Sequence, residues 1–456
     1  METQNEKVVE TTSAATENTG RRVSVKMIIV FVLSLLLLIP MEMIEDLIYE
    51  RKRTSEDTIE KVTGQWCAAQ HIVGPTLTIP MQTHSTYMNA NGEESKVKSV
   101  VDVVVLPKKL NIKADINNQL RNKGLYQISL YTAPIEIDGC FELSEDIQKS
   151  FSDDVDNSQK SVTVEFALSD LKGISDVMMI KIAGKELELK PNGEGLLNGT
   201  SKLSAKLDLE DVNDMKNIPF SMKLNVKGSQ SLKFVPIGEQ TTVALKSNAT
   251  TPSFTGNFLP ENSSVTDSGF TCNWKVSYLN RNYPQEFTDK KAEIVNAVDS
   301  SMFGVDLLIP VQHYQQSLRC TKYAMLFIIL TFAVFFFVEN IQKKNIHPIQ
   351  YLLVGLALTL FYSLLISLSE HIGFVPGFAV ASGMTIATLT VYTEAVLRIK
   401  KTAFYIGGIL TVLYVYIFVL IRMETYALLA GSVGLFFILA GIMYLSQKVD
   451  WNRIVK

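Results

Sequence analysis

KYAMLFIILTFAVFFFVENIQKKNIHPIQYLLVGLALTLFYSLLISLSEHIGF, running from Lys322 to Phe374, holds two uncharged spans joined by a short basic loop. Hydrocarbon has no water to pair with backbone or charge, so each span reads as a membrane-crossing helix. A spanning helix needs roughly 20 apolar residues, and that pattern continues to the end of the chain. Uncharged runs extend over Tyr323–Val338, Ile349–Ser369, Ile372–Thr393, Thr402–Ile421 and Thr425–Gln447, which predicts five helices. The first run is short, and Lys322 and Glu339 at its ends are placed to reach the interface.

A sixth span, Val23 to Met41, stands alone near the N-terminus. Its Lys26 is read as reaching head groups, and Pro40 as bending or ending the buried part. Arg21, Arg22 and Lys26 before an apolar core resemble a signal peptide, but no A-x-A-like cleavage site follows. The chain continues instead with Ile44, Leu47, Ile48, Ile59 and Val62 at helical spacing. The favoured reading is an uncleaved anchor leading into an amphipathic helix. The expected organisation is a disordered cytoplasmic tail over 1–21, a first transmembrane helix over 22–48, a β-rich exported domain over 49–321, a five-helix bundle over 322–447 and a tail over 448–456.

Lys and Arg in short loops set the direction of insertion. Lys343, Lys344, Arg398, Lys400, Lys401, Lys448, Arg453 and Lys456 fall on one side, against Arg422 alone in the short loops of the other. Both termini are therefore expected in the cytoplasm, with the domain outside. Arg51, Lys52, Arg53, Arg319 and Lys322 oppose this, although residues flanking a long exported domain weigh less in the rule.

The exported segment alternates with period two in SVTVEFALS (Val162, Val164, Phe166, Leu168), KLSAKLDLE (Leu203, Ala205, Leu207, Leu209) and SMKLNVKG (Met222, Leu224, Val226). Such runs are half-buried strands. Asn91-Gly92, Gly184-Lys185, Pro191-Asn192-Gly193 and Asn198-Gly199 read as turns. Sandwich packing is expected, in one domain or two.

The chain has 456 residues, 20% of them charged, and a net charge of −3, with a mean hydropathy of +0.17. This balance gives no case for nucleic-acid binding. Cys67, Cys140, Cys272 and Cys320 are placed in the exported segment, where disulfides are permitted; four cysteines allow three pairings and the spacing selects none. No C-x-x-C, H-E-x-x-H, phosphate-cradling glycine loop or G-x-S-x-G elbow occurs, so no metal, cofactor or common hydrolase or ATPase chemistry is expected.

The chain resembles the CreD family of bacterial inner-membrane proteins along nearly its whole length. The resemblance is carried by IPMEMIEDLIYERKR (39–53), GPTLTIP (74–80), VVVLPKKLNIKADI, FTGNFLP (254–260), GFTCNWKVSYLNRNYPQ, FGVDLLIPVQHYQQSLRCTKYAMLFI, HPIQYLLVGLALTLFYSLLISLSEHIGF and YALLAGSVGLFFILAGIMYLSQKVDW. Cys67 and Cys140 stand where the family tends to have glycine. The resemblance implies a role in envelope integrity, linked to a stress-responsive two-component regulon, colicin tolerance and β-lactam response, with no known catalytic mechanism.

Within the spans, Glu370 and His371 are candidate functional residues, above Ser363, Ser367 and Ser369. Interfacial anchoring is the favoured reading over ion or proton handling. His347, before Pro348, is a second candidate; proline suits a helix first turn and Tyr351 an interface. Glu394 is a third, read as an i,i+4 salt bridge to Arg398, and Glu339 is read in the same way with Lys343. Ala379, Gly383 and Ala387, together with Gly377 and Ala381, are read as packing inside the bundle, the other reading being a seam to a partner helix.

Two function classes follow. In the favoured one the protein is a non-enzymatic envelope factor, embedded in the lipid bilayer, whose exported domain binds a protein partner or an envelope component. In the other, the bundle is a small transporter or channel served by that domain. The spans hold few charges and show no paired broken helices, which favours the first.

Overall fold

The computed structural model describes residues 25–88, 94–145, 147–148, 161–208, 216–288, 292–307, 312–342, 344–423 and 426–447. The predicted tails, the Asn91-Gly92 turn and Lys343 lie outside them. Two compact units form: Met1–Ser55 with Pro310–Lys456, and Glu56–Ile309.

The first unit holds α1 (Val25–Trp66) as far as Ser55 and the long apolar helices α4 (Ala324–Gln342), α5 (Pro348–Ile372), α6 (Phe374–Leu397), α7 (Lys400–Arg422) and α8 (Ala427–Ser446). Of two short helices, α2 (Ala292–Ser300) belongs to the second unit and α3 (Gln312–Lys322) to the first, just before α4. Anchor and amphipathic segment are thus one helix. Proline lacks an N–H and its ring crowds the carbonyl one turn back, and the helical run is interrupted at Leu37, just upstream of Pro40, before it resumes. Ser34, Leu37, Met41, Ile44 and Ile48 are buried at i, i+3, i+7 spacing, an apolar stripe that packs α1 on the bundle. A Cβ on Gly355 of α5 would lie 2.2 Å from Leu37 Cδ1 and 3.0 Å from Phe332 Cζ, so glycine permits this approach.

Two expectations for the bundle are corrected. Ala379, Gly383 and Ala387 do not pack inside it; they are exposed and line a groove of about 620 Å³ between α6 and α7, while Gly377 and Ala381 are buried. The spacing of small residues shows that one face is narrow, not which neighbour covers it. Cys320 belongs to α3 in the helical unit, fully buried, rather than to the β-rich segment.

The second unit is a β sandwich of a nine-stranded and an eight-stranded sheet. One hydrophobic core joins them, taking Ile72, Leu77 and Val164 from the first and Ile112, Ile135 and Val226 from the second. The three sequence-predicted strands appear as Ser161–Leu168, Ser201–Asp208 and Asn217–Ser229, with alternate residues buried. Pro191-Asn192-Gly193 is not a turn: it lies inside the strand Lys190–Glu194 as a register shift, with Gly193 at positive φ. The FTGNFLP and GFTCNWKV motifs meet in an aromatic cluster, where the Trp274 indole donates to Phe258 O at 3.1 Å beside Phe254 and Phe303. All four cysteines are free thiols.

Candidate functional site

Glu339 sits in the last turn of α4, 5% exposed. Carboxylates at that depth require a counter-charge and donors for their lone pairs, and three neighbours supply them. The Lys26 ammonium of α1 pairs with Oε1, the Ile346 N–H donates to the same oxygen at 3.2 Å, and the Tyr351 hydroxyl donates to Oε2 at 2.8 Å. The α4–α5 loop folds over the carboxylate because Lys344 N donates to Glu339 O at 3.1 Å and Ile346 is buried. This corrects the expectation for Lys26, which turns inward rather than to head groups. The carboxylate is held in place by the Tyr351 hydroxyl and the Ile346 N–H, and a charge-assisted bond to a fixed carboxylate is stronger than a neutral one.

A second polar locus lies at the other end of α5. Glu370, half-buried, accepts from the Tyr314 hydroxyl of α3 at 2.9 Å. His313 is its neighbour; burial holds this imidazole below its ordinary value, although Glu370 pulls the other way. His371 is exposed and its Nδ1 lies 2.9 Å from Ser367 O, so that nitrogen carries the proton. Glu370 and His371 therefore face different partners: Glu370 takes the Tyr314 hydroxyl, whose ring lies 4.3 Å from that of His313, and His371 the Ser367 carbonyl.

The profile described as Inner membrane protein CreD matches residues 22–452, both loci included. The chain belongs to the CreD family. Inner membrane protein CreD of Escherichia coli (strain K12) is 30% identical over 426 residues, which cover 93% of each chain. As a CreD family member with six apolar helices among its described residues, this is a multi-pass inner membrane protein.

The other candidates of this CreD chain are local devices. His347 caps α5: its Nδ1 accepts from Ile349 N at 3.3 Å, and Gln350 Oε1 accepts from His347 N at 2.8 Å, with Pro348 in the first turn. Glu394 does not pair with Arg398, which takes a left-handed conformation at the end of α6 and donates its N–H to Glu394 O. Its carboxylate lies 3.9 Å from Lys400 instead, in an exposed pair. An i,i+4 pair requires the helix to continue, and here it stops. Among the described residues no three His, Cys, Asp or Glu side chains gather as metal ligands would.

Reading the sequence span by span missed the Lys26–Glu339–Tyr351 cluster. A signal was present: opposite charges at the start of one span and the end of the next fall at the same membrane face.

Proposed function

We propose that this chain is a non-enzymatic factor of envelope integrity and envelope-stress response, whose β domain lies in the periplasm and binds a protein or an envelope component. Both termini are cytoplasmic in this reading, supported by the Lys and Arg pattern of the loops. The observation that carries it is a surface of the β unit. A cleft of about 500 Å³ is lined by Lys108, Lys109, Glu239, Gln240, Glu261 and Lys275. Leu279, between the lining residues Tyr278 and Asn280, is 78% exposed. An exposed leucine at the edge of a charged cleft offers a partner an apolar anchor with a polar rim. The Glu339 carboxylate, by contrast, is spent on holding helices together.

The test is complementation of a deletion strain, scored by envelope sensitivity, with α1 and the β unit expressed without α4–α8. Rescue is expected, whereas failure with normal membrane levels would shift the activity to the bundle, as in a transporter. Leu279→Asp with Lys275→Glu in the full chain is expected to abolish rescue without lowering the melting temperature.

A further inference from the structure

The outermost strand of a sheet carries a row of unpaired N–H and C=O groups, and proteins blunt that row with charge, proline or a bulge. Of the four strands that end the two sheets among the described residues, three are blunted in this way. Lys190–Glu194 holds Pro191, a charge at each end and a register shift. Lys185–Glu188, reading KELE, is charged at all but one position. Pro252–Gly256 begins on proline and ends on a glycine at φ +104°. The fourth, Asn262–Thr266, reads NSSVT: it has no charge, no proline and no register shift, and every residue in it is exposed.

The register sets which of its groups stay open. Asn262–Thr266 pairs with Gly269–Ser277 and closes on Thr266 and Gly269 across the two-residue turn Asp267-Ser268. Such a closing pair exchanges both backbone bonds, and the exchange recurs at every second residue, so Asn262, Ser264 and Thr266 bond inward. Ser263 and Val265 therefore turn their N–H and C=O groups outward. Their side chains lie opposite Cys272 and Phe270, both of the core, yet Val265 is 51% exposed. The strand is also held at its start, because Glu261 N donates to Asn273 O at 2.9 Å and the Trp274 indole holds Phe258 O just upstream. An edge that is already ordered loses little freedom when a partner adds to it.

We propose that Asn262–Thr266 receives an extended segment of a partner protein as an added strand. This rests on the reading of the β unit as a partner-binding domain and names the form the partner takes. Another extended backbone is the group that offers donors and acceptors in turn to Ser263 and Val265. The added segment is uncharged against NSSVT, apolar beside Val265, and basic where it passes the exposed carboxylate of Asp267. At the other end of the strand Glu261 lines the charged cleft, so the segment continues onto that surface.

The test is rescue of the deletion strain by the full chain. Val265→Pro removes an outward N–H and no ladder bond, and edge strands accept proline at such positions. It is expected to return envelope sensitivity to that of the deletion strain at an unchanged melting midpoint, whereas Val265→Thr, which keeps the N–H, rescues fully. Should the proline lower the midpoint, Val265→Lys takes its place: it keeps the ladder and sets a charge on the edge, and rescue is again lost. Full rescue by the proline variant, or by the lysine variant standing in for it, overturns the proposal. Loss of rescue by Val265→Thr at an unchanged midpoint also overturns it, because recognition then follows the side chain. Asp267→Lys is expected to weaken rescue, and an unchanged sensitivity overturns the basic partner residue. In a Cys140→Ser background, Ser264→Cys is expected to stay monomeric on a non-reducing gel; a covalent dimer gives the edge to a second copy and overturns the proposal. The partner surface and the added strand fail separately. If Leu279→Asp with Lys275→Glu abolishes rescue and Val265→Pro does not, the surface stands and the strand falls; if neither does, both fall.

Discussion

At the scale of single residues, Lys26 and Glu339 make the strongest commitment. Removing one member of a buried ion pair leaves the other uncompensated, at a cost of about 3–5 kcal/mol. Lys26→Met and Glu339→Gln are each expected to lower the melting temperature and the steady-state membrane level, and the two together to recover most of both. Thiol chemistry gives a second prediction. Burial, with Asp170 adding to it, pushes the Cys67 thiol up to about 12, and burial alone takes Cys272 to about 12. Half-buried Cys140 is therefore expected to be the first of these three labelled by iodoacetamide in the native protein, with Cys67 and Cys272 following only on denaturation, as read by mass spectrometry. His71 supplies a pH dependence. Burial first, then Lys233, holds it below its ordinary 6.5, against the pull of Asp299 and Asp306. The unfolded chain then binds the proton more readily than the folded one. Its contribution to stability is complete above 6.5 and is lost as pH falls through the window below; His71→Leu should flatten the acid limb of a melting-temperature profile. The titratable residues were all legible in the sequence, but their partners were not: Glu339 was read with Lys343 on its own helix, and its counter-charge came from another helix over 300 positions away.

At the scale of elements, the helices and the three alternating strands were readable because their hydrophobic period is local. Boundaries set by backbone conformation were less so. Arg398 ends α6 at φ 53°, which no hydropathy pattern encodes. The seat of α1 depends on Gly355, and Gly355→Leu is expected to lower the melting temperature by displacing Leu37, with Leu37→Ala restoring part of the loss. In the sandwich, Gly74 takes φ +119°, and a Cβ there would lie 3.1 Å from Glu165 O and 3.2 Å from Phe166. Gly74→Ala is expected to cost about 1–3 kcal/mol of β-unit stability, measured by denaturant unfolding.

At the scale of the whole molecule, the Glu56–Ile309 unit has its own core, and expressed alone it is expected to melt in one cooperative transition. The sequence by itself determined the six spans, the β-rich insertion after the first of them and the family. Those properties depend on hydrophobicity summed along short stretches and on ordered motifs, which need no third dimension. Tertiary structure alone decided that the two sheets share one core, that Cys320 belongs to the helices, that Ala379, Gly383 and Ala387 face outward, and that Lys26 closes on Glu339. Each of these depends on which surfaces meet after the chain has folded back on itself. Burial and charge pairing are set by the neighbour across the interface, and a linear pattern does not name that neighbour.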